Sequence, residues 1–168
     1  MRGAVSGRPK GLHYLAGLFT GLAVHVAIAQ SSTTGVSMMN HVGINVPNVD
    51  EAVTYYTQKM GYKEAFRAND ANGRPRLVYM QISKNTFLEL QPAAPPQRPA
   101  GFTHYGLVVD NAAGAIAAFR QRGLTLTDEA KSDTGVNLSN ITDPYMGRVE
   151  LVEITPQSMH AKAIAAWK

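Results

Sequence analysis

His41-Val42-Gly43-Ile44-Asn45-Val46 and His104-Tyr105-Gly106-Leu107-Val108-Val109 decide how this chain is read. Both run His-x-Gly-apolar-x-Val, and they stand 63 positions apart. Each alternates with the period of a strand, whose successive side chains point to opposite faces. A helical pattern follows each strand. After the first, Val49, Val53, Tyr56 and Met60 fall on one helix face, Asp50 and Glu51 suit its positive N-terminus, and Gly61 suits its end. After the second, Asn111 is an N-cap, Ile116 and Phe119 mark the apolar face, and Gly123 closes the helix.

Three short strand-like runs come after each helix. They cover residues 62–67, 76–83 and 86–91 in the first half, and 124–129, 137–142 and 147–154 in the second. Phe87-Leu88-Glu89-Leu90 in one half answers Arg148-Val149-Glu150-Leu151 in the other. The expected fold is therefore α+β, a pair of β-α-β-β-β modules over residues 38–92 and 102–156. The Pro-rich stretch from Pro92 to Pro99 joins them, and Ser158 to Lys168 forms a short helix or tail in which His160 is expected to be exposed.

The chain has 168 residues, enough for one domain of this kind, and 45% hydrophobic residues, enough to fill a core. It has no Cys, which excludes disulfides, thiolate metal sites and a cysteine nucleophile. Arg2, Arg8 and Lys10 precede an uncharged run from Leu12 to Ala29 that ends in Ala27-Ile28-Ala29. A basic start, an apolar middle and small residues before a cut read as a signal peptide over residues 1–29, with an uncleaved anchor as the alternative. Residues 30–37 then form a linker, and the mature chain is expected in the periplasm or secreted. Removing the leader takes three of the 16 basic residues and leaves 13 against 12 acids. No basic stripe interleaved with aromatics survives, so neither nucleic acid nor, after cleavage, a membrane is an expected partner.

Only His41, His104 and His160 remain beyond the leader, and two of them occupy the same place in the two repeats. Glu89 and Glu150 also match, each within an otherwise apolar strand. A carboxylate in a buried strand is costly unless paired or bound to metal. Alternation alone also allows either Glu to face solvent, and either His to be a hydrogen-bonded core residue. Four such residues at matched positions favour one shared centre. Two imidazoles and two carboxylates suit a divalent Zn, Ni, Co, Mn or Fe ion with open coordination positions, a catalytic rather than a structural pattern.

The chain resembles the vicinal oxygen chelate superfamily, which includes glyoxalase I, methylmalonyl-CoA epimerase, extradiol dioxygenases and the bleomycin- and fosfomycin-resistance proteins. The resemblance rests on His41–Pro47, Glu51–Tyr56, Met60-Gly61-Tyr62, Thr103–Leu107 and Thr142-Asp143-Pro144 with Val149-Glu150-Leu151, and it covers residues 38–156. It implies paired modules curved into a U-shaped sheet around a metal cleft. His41, Glu89, His104 and Glu150 carry over as metal ligands, a set similar to that of glyoxalase I, and Glu150 and Glu89 as candidate proton carriers. Arg67 matches a position that binds a substrate carboxylate in glyoxalase I, while a solvated Arg at a strand end is the plainer reading. Tyr79, Phe87 and Tyr105 are candidates for an apolar substrate-binding wall, although core packing explains them equally well.

What the resemblance implies chemically is a glyoxalase-like isomerase, epimerase or lyase. It would work by metal-stabilised enolate proton transfer on a small substrate that chelates through adjacent oxygens. Asp143-Pro144-Tyr145-Met146-Gly147-Arg148 departs from the family's common Asp-Pro-Asp-Gly turn, which argues against glyoxalase I itself. The rival readings are an Fe(II) extradiol-type dioxygenase, which needs only two His and one Glu, and a non-catalytic small-molecule-binding protein. Exposed edge strands also make a homodimer an expectation.

Overall fold

The computed structural model describes residues 34–168, so the leader read over residues 1–29 lies outside the described residues. Each half begins with a central strand. β1 (Val36–Val46) leads to α1 (Val49–Gln58), β2 (Lys63–Asn69), β3 (Pro75–Ser83) and β4 (Thr86–Pro92). β5 (Gly101–Val109) leads to α2 (Ala112–Gln121), β6 (Ala130–Lys131), β7 (Asn137–Asp143) and β8 (Gly147–Glu153), and α3 (Met159–Ala166) closes the chain. The eight strands form one sheet in the order β2-β3-β4-β1-β5-β8-β7-β6. The halves meet where β1 and β5 pair antiparallel, while β1 with β4 and β5 with β8 pair parallel.

Local chemistry sets the helix ends. Asn48 caps α1 by accepting from the backbone N–H groups of Asp50 and Glu51, and Asn111 caps α2 by accepting from that of Gly114. Past the helix ends, Gly61 and Gly123 take φ of 71° and 83°, a left-handed turn that a side chain disfavours. Met60, expected on the buried face of α1, lies beyond its cap and is exposed.

Each helix covers its own half of the sheet. α1 packs Val49, Val53 and Tyr56 on Val78, Met80 and Leu90. α2 packs Ala115, Ile116 and Phe119 on Ile141, Val149 and Leu151. Alternation then sends the residues between these core positions to the opposite, concave face.

Two further expectations are corrected. Residues 124–129 are not a ladder strand; the edge strand of the second half is β6, two residues long. Leu126 makes a single bridge to Ile141, flanked by backbone bonds from the Thr127 N–H to the Asn140 carbonyl and from the Thr142 N–H to the Thr125 carbonyl, and side chains add to the pairing. Ser139 Oγ donates to the Thr127 carbonyl at 2.7 Å, and the Asn140 N–H donates to Thr127 Oγ1 at 2.9 Å. His160 is buried rather than exposed, because α3 folds back onto the concave face of the first half. Its ring meets the rings of Tyr79, Phe66 and Phe87 at 4.6, 4.9 and 5.3 Å, edge to face. Ser158 anchors this helix as its N-cap, and the Met159 N–H donates to the Thr134 carbonyl of the second half.

Burial drives the His160 imidazole down to about 3, so it folds neutral, and neither ring nitrogen has a partner among the described residues. The unfolded chain binds this proton below about pH 6.5 and the folded chain does not, so stability falls with pH down to about 3. Relative to His160→Leu, the native chain should lose up to about 1.4 kcal/mol per pH unit across that window. Denaturant titrations at several pH values check this; parallel pH profiles for the two proteins would contradict it.

Candidate metal centre

The register of the central strands lays out the site in two rows. Arg148, His104, Gly43, Glu89 and Tyr79 follow one another across β8, β5, β1, β4 and β3. Asn140, Glu150, Gly106, His41 and Phe87 follow one another across β7, β8, β5, β1 and β4. Cross-strand neighbours share a face. Each His therefore leans over the glycine of the other half. A Cβ built on Gly43 would stand 2.1 Å from His104 Cε1, and one on Gly106 would stand 2.2 Å from His41 Cε1. The glycine of His-x-Gly is thus there for its partner repeat, not for its own backbone conformation.

The result is a buried cluster of His41, Glu89, His104 and Glu150 whose donor atoms all lie within 4.8 Å of one another. The two Nε2 atoms are 3.1 Å apart. Glu89 Oε2 is 3.4 Å from each of them, and Glu150 oxygens are 3.5 Å from His41 Nε2 and 3.6 Å from His104 Nε2. Ligands bound to one ion at about 2.0–2.2 Å stand about 2.9–3.6 Å from one another. The donor set and its spacing therefore fit a divalent metal, and both modules of one chain supply it.

The residue before each His orients its ring. Asn40 Oδ1 sits 2.8 Å from His41 Nδ1, and Thr103 Oγ1 sits 2.7 Å from His104 Nδ1. When these oxygens accept from Nδ1–H, the Nε2 lone pair points into the cluster, the arrangement a metal requires. The carboxylates are held differently. Tyr79 Oη donates to Glu89 Oε2 at 2.6 Å, and Gln91 Nε2 donates to Glu89 Oε1. Glu150 takes a contact from Arg148 Nη1 at 3.0 Å. Burial alone would raise both carboxyls, but bonds and charges from the two His outweigh it. Glu89 ends at about 2 and Glu150 below its ordinary value. Burial first, then the Glu89 charge, raises the Tyr79 phenol well above its usual range, so it remains a donor.

A cavity of about 220 Å³ opens on the cluster, lined by Tyr79, Glu89, Glu150 and His160 and crossed at its rim by an Arg76–Asp133 ion pair between the two halves. Of the apolar wall expected from the sequence, only Tyr79 lines this cavity. Phe87 shares the concave face but is sealed under His160 and Ala163. Tyr105 falls on the opposite face from His104 and packs on the α2 core, because one step along a strand reverses the face. Arg67 lies away from the cluster, paired with Glu64 at 2.6 and 2.8 Å. Gln91, Arg148, Asn40, Thr103 and His160 were not singled out as site residues. Gln91 and Arg148 could have been found by stepping two residues from each Glu, and Asn40 and Thr103 by stepping one back from each His. The place of His160 depends on a tertiary turn that no local pattern announces.

A family model described as the Glyoxalase/Bleomycin resistance protein/Dioxygenase superfamily matches residues 38–151, and the chain belongs to this superfamily. Among solved structures it is similar to methylmalonyl-CoA epimerase from Mycobacterium tuberculosis at 18% identity, covering 75% of this chain and 93% of that one with a TM-score of 0.65. A second methylmalonyl-CoA epimerase matches at 22% identity, 71% and 97% coverage and a TM-score of 0.60. A Streptomyces coelicolor methylmalonyl-CoA epimerase in complex with 2-nitronate-propionyl-CoA matches at 16% identity, 73% and 98% coverage and a TM-score of 0.63. At these identities the likeness is one of fold. No curated protein matches the chain.

Gly43→Ala and Gly106→Ala should each displace the His from the other half. About 1–3 kcal/mol of stability should be lost to overpacking, together with metal binding. Thermal unfolding and metal analysis check both. Asn40→Leu and Thr103→Val should weaken metal affinity by about 10–100-fold through loss of the Nδ1 partner, read by competition against a chromophoric chelator.

Proposed function

We propose that the protein is a metal-dependent proton-transfer enzyme, an isomerase, epimerase or lyase acting on a small substrate that presents two adjacent oxygens. The observation that carries this reading is the buried two-His, two-Glu cluster opening on a cavity. His41, Glu89, His104 and Glu150 would hold the metal, and the metal would supply Lewis-acid polarisation of the two substrate oxygens.

The chain's own residues divide the remaining work. Glu89 has a hydrogen bond on each oxygen, from Tyr79 and Gln91, and serves as the fixed carboxylate. Glu150 lines the cavity, and its carboxylate is held by Arg148, a half-exposed side chain. It is the group placed to take a proton from carbon and return it to a neighbouring carbon or to the other face. Tyr79 and His160 line the same cavity on the Glu89 side. The firm hold on Glu89 disfavours the dioxygenase reading, in which this carboxylate would be surplus. The basic start and apolar run of residues 2–29 support a site of action in the periplasm or beyond it. Among the described residues, no helix is long and apolar enough to cross a membrane.

In D2O, the metal-loaded protein should exchange the hydrogen beside the carbonyl in at least one of two probes, a 2-oxoaldehyde hemithioacetal and a 2-methylmalonyl thioester, followed by proton NMR. Glu150→Gln should slow this exchange by about 100–10,000-fold with metal retained. Glu89→Gln should act mainly on metal affinity. Oxygen uptake with catechols and no exchange would overturn the proposal in favour of the dioxygenase; ligand binding with neither would favour a binding protein.

A further inference from the structure

Arg148 has no counterpart in the other half. It holds the place across from His104 that Phe87 holds across from His41, so the metal cluster can be framed without it. Its Nη2 lies 2.7 Å from His104 Nδ1 and its Nη1 lies 3.0 Å from Glu150 Oε1. A guanidinium only donates. Its contact with Nδ1 therefore uses the Nδ1 lone pair, which leaves the ring hydrogen on Nε2. A metal on Nε2 demands the reverse, with Nδ1 carrying the hydrogen and giving it to Thr103 Oγ1 at 2.7 Å. Two donors cannot face each other at that separation, so Arg148 in this position and a metal on His104 exclude one another.

The place for Arg148 to go is a second cavity on the same concave face, of about 380 Å³. It already lines this cavity, together with Arg98, Asn45, Gln91, Phe102 and Thr103, and no lining residue is acidic. Asn45 donates from Nδ2 to the Pro99 carbonyl at 3.0 Å, while its buried Oδ1 has no partner among the described residues. Two guanidinium groups with an unpaired amide oxygen suit a ligand that carries a carboxylate and a hydroxyl.

Resting on the metal-centre reading above, we infer that metal binding turns Arg148 away from His104 and Glu150 into this second cavity. There, with Arg98, it holds a carboxylate of the substrate beyond the two oxygens that face the metal. The preferred substrates are then hydroxyacids or acyl compounds with an additional carboxylate. Release of Glu150 from Arg148 at the same step frees the proton carrier.

The test is nickel affinity of residues 30–168, native and as Arg148→Met and Arg98→Met, with folding checked by circular dichroism. Arg148→Met should bind nickel at least several-fold more tightly, because it lacks the donor that opposes the metal tautomer, while Arg98→Met, which removes the same charge from the second cavity, should not. Unchanged binding in Arg148→Met, or weaker binding by the about 10–100-fold that loss of a supporting partner causes, would overturn the inference. So would equal tightening in both variants, which charge removal would explain. No nickel bound by the native chain would instead overturn the metal-centre reading beneath it. On the nickel-loaded native protein, calorimetry should show L-malate binding more tightly than glycolate, with nickel retention checked by metal analysis. Arg148→Met and Arg98→Met should each lose that preference. Equal binding of malate and glycolate by the native protein would contradict the role given to the second cavity.

Discussion

The close approach of two imidazole rings to two glycines is the constraint on which this structure depends. His41 lies over Gly106 and His104 lies over Gly43, each with no room for a methyl group beneath it. This contact sets the register of β1 against β5 and so fixes how the halves join. It also brings the Nε2 atoms to 3.1 Å and places Glu89 and Glu150, which face the same two glycines from β4 and β8, within reach of both. Fold and site are one piece of geometry: the seam between the modules is the floor of the candidate metal centre.

Placing four polar groups at such a seam is expensive, since buried charge costs free energy unless paired. The structure offsets the cost with a surrounding layer that is not symmetric. On the first half, Tyr79 and Gln91 hold Glu89, with Phe66, Phe87 and His160 packed behind the phenol. On the second half, Asn140 and Arg148 stand where Tyr79 and Phe87 stand on the first. One wall is buried and aromatic, and the other is polar and partly exposed.

Much of this was legible in the sequence because repetition exposes itself. His-x-Gly-apolar-x-Val occurs twice, and Glu89 and Glu150 sit in matching strands, so the module, its duplication and the clustered residues follow from comparing the chain with itself. The order of strands along the sheet is not local information, and the resemblance implies only paired modules in a curved sheet. Residues 124–129 misled because their alternation is that of a strand, while one bridge, two backbone bonds and the Thr127 and Ser139 side chains join them to β7. Tyr105 and Phe87 misled because aromatic content does not report which face a residue takes or what covers it. His160 was hidden because the return of α3 onto the sheet is decided by contacts with Thr134 and Gly135, far back in the chain.

The most direct test of the account is a crystal structure of the metal-loaded protein with anomalous scattering recorded at the metal edge. It should place one ion per chain at the β1–β5 seam, bound by Nε2 of His41 and His104 and by oxygens of Glu89 and Glu150, with both glycines beneath the rings. An ion bound by other residues, or its absence from the seam after loading, would contradict the claim that the joined repeats exist to build this centre.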